Sequence, residues 1–419
     1  MDMNTSLRFQ TWLAVLVGLL LNCCSISAVE TNDRIYAEFD LEFKTFLALA
    51  NDRIGKEVIK VERLSDRFTV PQKLTIKGTP HEIGLALGHI GQQAKARLPM
   101  LTETNRALNR KVVELYQKIY PQFLEVVRGV AEVYKEPVEQ IDVGVFEADF
   151  TTRLWCDLLK IERFDPAIKR FEPPVDSGKS SEGDAKHHCS TASYYTNGHQ
   201  LVGRNFDNPS DRPHYFTTLE MAGSYKVMGH TVYDISSWVV DGMNEKGLAL
   251  CVTTAYKGEE PYPNEPAILI GHLSQIVMQR CATVDEALAL LRTVRVWFPF
   301  EVNHCLIADA TGKSVVVEWN PKDYKLLVFG KSEPWELLTN TPLEEGEASL
   351  MKKCDRYRSA KPLLEAGIRN TADMLEVMKA MRITSGSTRT LWTTVMDLNA
   401  RTFEVRYFKE FERKYEFKF

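Results

Sequence analysis

Beyond its first 28 residues the chain has no apolar run near the roughly 20 residues that a membrane-crossing helix requires, so no transmembrane helix is expected there. It has no Cys-x-x-Cys pair, which removes the usual zinc-ribbon and dithiol redox spacings. Dense Lys/Arg blocks are missing and the formal net charge is −4, which argues against a nucleic-acid surface. There is no internal repeat. Nor is there a Gly-x-Ser-x-Gly elbow: "TSGST" around Ser385 and Ser387 does not supply a serine nucleophile of that kind.

What is present begins with a leader. Arg8 precedes the ten-residue apolar run Trp12 to Leu21, the length of a signal-peptide core, and "NCCSISA" follows. Residues 1–28 are therefore expected to be a signal peptide of an exported (secreted, periplasmic or lumenal) protein. Cys23 invites a lipid anchor, but Asn22 before it is not the small residue such a site uses. Six further cysteines follow: Cys156, Cys189, Cys251, Cys281, Cys305 and Cys354. Three disulfides are conceivable, yet the cysteines are widely spread and several lie in apolar runs. A chain this long needs no disulfide staple, so buried free thiols are the expectation for most.

Residues 31–162 read mainly as helix. Ile83, Leu87 and Ile90 recur at helical spacing after Gly78 and Pro80, and Phe123, Val126, Val127 and Val130 share a face before Pro137. From Phe164 to His188 the composition turns to Pro, Ser, Gly and charge, reading as an exposed, mobile linker. Strands follow: a hairpin around Asn197-Gly198, then Thr231 to Val239 and Gly247 to Thr254. Two helices come next, the second capped by Thr283 with Glu286 three residues on. More strands lead to a helical pair at about 346–381 and a closing hairpin. Strands, helix pair, strands, helix pair, strands is an α+β order, with helices covering antiparallel sheets rather than alternating as in a Rossmann fold.

A two-residue Asn197-Gly198 turn pairs Thr196 with His199 and fixes the register. Cys189 then stands opposite Phe206, with Arg204 diagonal to it on the same face, where a guanidinium holds down a thiolate pKa. Asp207 has the opposite parity and needs a bulge or a strand end to turn inward. Cys189 is open to two readings: a half-buried strand cysteine or a nucleophile. As a nucleophile it needs a base. Neighbouring His187, His188 and His199 are near in sequence only. An α-amine, with a pKa near 7.7–8, suits a thiol well. That requires cutting His188–Cys189, for instance by thiol attack on the preceding carbonyl and an N-to-S acyl shift.

The stretch "CSTASYYTNGHQLVGRNFD" resembles the N-terminal nucleophile hydrolases of the choloylglycine hydrolase and penicillin V acylase group. It is more similar still to acyl-coenzyme A:6-aminopenicillanic acid acyltransferase and its kin, which include acid ceramidase and N-acylethanolamine amidase. "DGMNEKGLAL", "LLTNTP" and "STRTLWTTVMDL" continue the resemblance, as do "GTPHEIGLALG" and "YPQFLEVVRGVAE" upstream. It implies a four-layer αββα sandwich. It also implies a helical pro-segment, 29–188, retained as a partner chain after self-cleavage, and a catalytic chain, 189–419. Cys189 would attack an N-acyl amide while its α-amine shuttles the proton, and Asp207 would orient that amine. Arg204 and Arg389 would sustain the developing charge, and Asn340 would serve the oxyanion hole, an effect of roughly 10²–10³ in rate per donor.

The chain departs from the bile-salt branch in having Thr253 and Thr254 where that branch has an asparagine, so their hydroxyls or a backbone N–H are candidates for oxyanion support. The long pro-segment favours the acyltransferase style of maturation. No metal or cofactor is expected; the partner is a small-molecule N-acyl amide, and a homo-oligomer stays open. Water or an amine could take the acyl group. Other readings are an uncleaved, non-catalytic binding protein on the same scaffold and a classical cysteine peptidase. A Cys305–His304 dyad is disfavoured because adjacent strand residues face opposite ways, and His187-His188 reads as a linker end rather than a metal site.

Overall fold

The computed structural model describes residues 28–65, 71–152, 154, 164–165, 170–171, 189–208, 214–232, 239–257, 260, 263–299, 301–330, 333–385 and 388–419. His187, His188, Cys156 and Ser387 lie outside them, as does nearly all of the leader.

The N-terminal part supplies helix α1 (Ala28–Ile54), strands β1 (Ile59–Glu62) and β2 (Gln72–Gly78), and helices α2 (Pro80–Gln93), α3 (Arg106–Ile119) and α4 (Pro121–Tyr134). Thr79 starts α2 with a full capping box: its hydroxyl accepts from Glu82 N–H while the Glu82 carboxylate accepts from Thr79 N–H, and Pro80 occupies the first turn. Helices α2 and α4 meet where glycine removes the side chain. A Cβ on Gly129 would lie 2.3 Å from the His81 carbonyl oxygen, and one on Gly84 2.1 Å from that of Val126. In the region expected to be a linker, Phe164–Asp165 pairs with Arg170–Phe171.

The other strands of the two large sheets are β3 (Ser190–Thr196), β4 (His199–Asn208), β5 (Tyr215–Met221), β6 (Val227–Thr231), β7 (Val239–Asn244), β8 (Leu248–Lys257), β9 (Glu301–Asp309), β10 (Ser314–Trp319), β11 (Leu326–Gly330), β12 (Trp335–Leu338), β13 (Arg389–Asp397), β14 (Thr402–Tyr407) and β15 (Tyr415–Lys418). Of the strand expected over Thr231 to Val239, Thr231 ends β6 and Val239 begins β7, and residues 233–238 lie outside the described residues. Helices α5 (Ile270–Arg280) and α6 (Val284–Leu291) follow β8; α7 (Glu347–Lys353), α8 (Asp355–Glu365) and α9 (Thr371–Ala380) follow β12.

Two sheets stack face to face. One has nine strands in the order β1-β2-β5-β6-β7-β8-β9-β10-β11, the other six in the order β12-β3-β4-β13-β14-β15. Helices α5 and α6 cover the first and α8 and α9 the second, which gives the four αββα layers that the resemblance implied. Strand β4 explains the arrangement locally: every residue from Gln200 to Asn208 is buried, because one of its faces meets α9 and the other meets the large sheet. Gly203 lies against α9, where a Cβ would collide with Met378 Sδ, while Arg204 points the other way, into the gap between the sheets.

The N-terminal region is not only helical. Strand β2 lies parallel to β5 from Gln72–Tyr215 to Gly78–Met221, so the large sheet continues into it. Leu74 and Ile76 point into the same core as Val252 and Ile307.

Candidate active site

The hairpin forms as its Asn-Gly sequence requires. Asn197 (φ 50°) and Gly198 (φ 79°) both take left-handed backbone, as a type I′ turn demands, and the register runs from Thr196–His199 to Ser190–Asn205. Cys189 stands one step past the last pair, at the open end of β3, and is 5% exposed.

At that end its backbone is held by side chains. Its N–H donates to Asn340 Oδ1 at 2.6 Å, and its carbonyl accepts from Arg356 Nη1 at 2.5 Å. Arg356 also donates through Nη2 to Asn340 Oδ1 at 2.9 Å and approaches Asp207 Oδ2 at 3.5 Å. Asn340 follows β12, the edge strand beside β3, and its Nδ2 donates to the Thr254 carbonyl at 2.8 Å.

Asp207 turns inward at the far end of β4. Its cross-strand partner Thr390 donates a hydroxyl to Oδ1 at 2.5 Å, and the β4–β13 ladder shifts register between Thr390 and Trp392. The irregularity needed to bring an odd-parity residue to the site is therefore there. The Asp207 N–H also donates to the Cys189 thiol. Burial pushes the Asp207 carboxyl up to about 6, against the pull of Arg356, the Thr390 hydroxyl and Arg204.

Arg204 is fully buried between the sheets, donating to Thr253 Oγ1 at 3.0 Å and to the Val252 carbonyl at 2.6 Å. Burial raises the Cys189 thiol pKa, with Arg204 and Arg356 opposing and the Asp207 charge adding to the rise. A second buried carboxylate, Asp241, faces Arg204 from behind. It accepts from Trp392 Nε1 at 3.1 Å and lies 3.1 Å from His230 Nδ1. Burial pushes Asp241 up, but His230, Arg204 and Trp392 more than offset this and hold it below the ordinary carboxylate range.

The structure thus brings Cys189, Arg204, Asp207 and Asn340 to one place. It places two expected groups differently. Arg389 heads β13 opposite Asn208, its guanidinium 5.2 Å over the Phe408 ring, and the C-terminal arginine that bonds Cys189 is Arg356. Of the hydroxyls proposed for oxyanion support, Thr254 donates to Glu301, whereas Thr253 accepts from Arg204 and keeps its own hydrogen to donate. Arg356 was hidden in "KKCDRYRS", where nothing but its place in the first turn of α8 separates it from the surrounding cations.

The other described cysteines, Cys251, Cys281, Cys305 and Cys354, are free and buried, so the described residues hold no disulfide. Burial lifts the thiols of Cys251 and Cys281 to about 12, which makes both poor nucleophiles. Cys305 lines a small apolar void with Leu250, Ile270 and Leu273, whereas His304 points to the opposite face toward Glu318; the two do not form a dyad.

Residues 189–363 match the model of the linear amide C–N hydrolases, choloylglycine hydrolase family. Similar solved structures include a conjugated bile acid hydrolase from Clostridium perfringens (20% identity, TM-score 0.45, 55% of this chain and 92% of that one). A penicillin V acylase from Agrobacterium tumefaciens is also similar (20% identity, TM-score 0.41, 52% and 83%). No curated protein matches the chain.

Proposed function

We propose that this chain, whose residues 189–363 match the linear amide C–N hydrolases, choloylglycine hydrolase family, is an amide hydrolase that matures by cutting its own His188–Cys189 bond and then works through the freed Cys189. The observation that carries the reading is the clamp on Cys189. Its nitrogen and carbonyl are bonded by the side chains of Asn340 and Arg356, contacts that do not depend on a preceding residue. A chain terminus needs such holding, because it has strand pairing on one side only.

In the mature site the α-amine takes the thiol proton and Sγ attacks the carbonyl carbon of an N-acyl amide. Asp207, beside the sulfur, accepts from the resulting ammonium and keeps it oriented. Arg204 and Arg356 balance the negative charge that builds on sulfur and oxygen; Asn340 turns its amide toward the oxyanion once the Thr254 carbonyl gives it up. Collapse of the tetrahedral adduct breaks the C–N bond, the amine leaves with the ammonium proton, and the acyl group remains as a thioester. Water, activated by the same α-amine, releases the acid. The leader supports export of the protein, and the N-terminal segment stays with the catalytic chain.

Purified protein is expected to run as two chains on a denaturing gel, the larger beginning Cys189-Ser190-Thr191. It should form a thioester on Cys189 when given an N-acyl amide. Full activity in an uncut chain, or activity that survives chemical blocking of the new α-amine, would overturn the proposal; a single chain that turns over no amide points to a binding protein.

A further inference from the structure

We infer that Glu318, buried one sheet away from the thiol, is a positioning residue that aims Asn340 at the reacting carbonyl. This rests on the proposed amide hydrolysis at Cys189. Glu318 is 1% exposed and lies on β10. Its Oε1 accepts from the Leu343 N–H at 2.7 Å, and its Oε2 from the Glu344 N–H at 3.3 Å. These two N–H groups open the short 3₁₀ turn at Leu343–Glu345, just after Asn340 and Pro342. The carboxylate therefore anchors the far end of the segment whose near end presents the Asn340 side chain. That side chain is tied to Thr254 of β8 by its own amide. In the resting site the segment is pinned at two points, on β8 and on β10 with β9 between them; when the Asn340 amide leaves Thr254 for the oxyanion, the Glu318 anchor is the one that stays.

His304 sets the carboxylate. It is fully buried on β9, its Nδ1 lies 2.8 Å from Glu318 Oε1, and its Nε2 is buried with no hydrogen-bond partner. In the β8–β9 ladder His304 pairs with Thr253, whose hydroxyl receives Arg204. One continuous set of contacts thus runs from Arg204 through Thr253, His304 and Glu318 to the Asn340 turn. A buried anion holding three donors is costly to place for stability alone. Holding a catalytic amide to within about half an ångström is a use that repays it, since a misplacement near 1 Å can cost about 10²-fold in rate.

The test compares Glu318→Gln, Leu343→Pro and Leu343→Ala in the matured protein, with rates normalised to titrated Cys189 thiol. Leu343→Pro removes the donated N–H at the first position of a helical turn, where proline is tolerated; Leu343→Ala trims the same side chain and keeps the N–H. For Glu318→Gln and Leu343→Pro, kcat is expected to fall about ten- to a hundredfold with KM within about threefold. Leu343→Ala should stay near wild type. Amide hydrogen exchange over residues 339–346 should quicken in the first two variants. Unchanged exchange and kcat in Glu318→Gln overturn the inference, as does a loss that appears in KM alone. If wild type turns over no N-acyl amide, the function reading fails instead, and the exchange measurement still decides whether Glu318 anchors the turn.

Discussion

At the scale of single residues, the site sets an arginine and a carboxylate against expectation. Arg356 makes two close hydrogen bonds, one to the Cys189 carbonyl and one to Asn340 Oδ1, while Arg389 lies over Phe408. Arg356→Ala is expected to lower kcat by roughly 10²-fold, and Arg356→Lys to recover little of it, because an ammonium cannot serve two acceptors in the same fork geometry. Arg389→Ala should stay within about threefold of wild type. Kinetics on the matured variants decide it; a larger loss at Arg389 would restore the role that the resemblance implied. Asp207 gives a second expectation. Its carboxyl titrates near 6 in the folded chain against 3.8 for the free group. The folded state then holds its proton longer than the unfolded state does. Stability drops as pH rises between these values, by up to about 3 kcal/mol, and the cost is complete above pH 6 and absent below pH 4. In a Cys189→Ala chain, which lacks the thiol that would cut it, Asp207→Asn should gain relative stability by up to about that amount from pH 4 to pH 7. Urea unfolding at the two pH values measures this, and a stability difference that does not change with pH counts against it.

At the scale of elements, local signals were readable and long-range ones were not. Asn197-Gly198 dictated the hairpin and hence the placing of Cys189 beside Arg204, because a two-residue turn leaves no freedom in register. The Thr79 capping box and the Thr283 cap fixed helix starts in the same local way. Strand β2 carries a period-two pattern, with Leu74 and Ile76 inward and Lys73 and Lys77 outward, yet its partner is β5, a parallel match that no local rule supplies. The helical pair expected over about 346–381 is three helices, because Cys354 adopts extended backbone (φ −125°, ψ 108°) between α7 and α8. That break sets Arg356 in the first turn of α8, where it reaches the Cys189 carbonyl. The inward turn of Asp207 likewise depends on an irregularity in β13, a strand more than 180 residues away in the chain, as the Thr390–Asp207 separation of 183 shows. Reading the sequence could name the need for a bulge but not its place.

At the scale of the whole molecule, the N-terminal segment is built into the fold of the chain it would be cut from. Strand β2 extends the large sheet, and one hydrophobic core takes in Leu74, Ile83 and Val127 together with Val252 and Ile307. The α3–α4 pair docks through polar contacts: Tyr116 Oη meets His272 Nδ1 of α5 at 2.8 Å, Tyr120 between the two helices bonds Gln279 of α5, and Gln122 donates to the carbonyl of Gly223 in the β5–β6 turn at 2.9 Å. After cleavage at His188–Cys189 the two chains should therefore elute together in native buffer, since parting them exposes a sheet edge and core side chains worth about 1.5–3 kcal/mol each. The association should also weaken in acid. Burial holds His272 at about 3, well under its ordinary 6.5, and the nearby groups are the Tyr116 hydroxyl and the Glu147 carboxylate, 4.0 Å from Nε2. Once the chains part, His272 takes up a proton below pH 6.5 that it refuses when docked. The docked state thus loses relative stability as pH falls from 6.5 toward 3, at about 1.4 kcal/mol per pH unit. Less urea should separate the chains at pH 5 than at pH 7, and His272→Gln should flatten the difference. A catalytic chain that elutes alone as a folded monomer at pH 7 would show that the N-terminal segment is dispensable once cut.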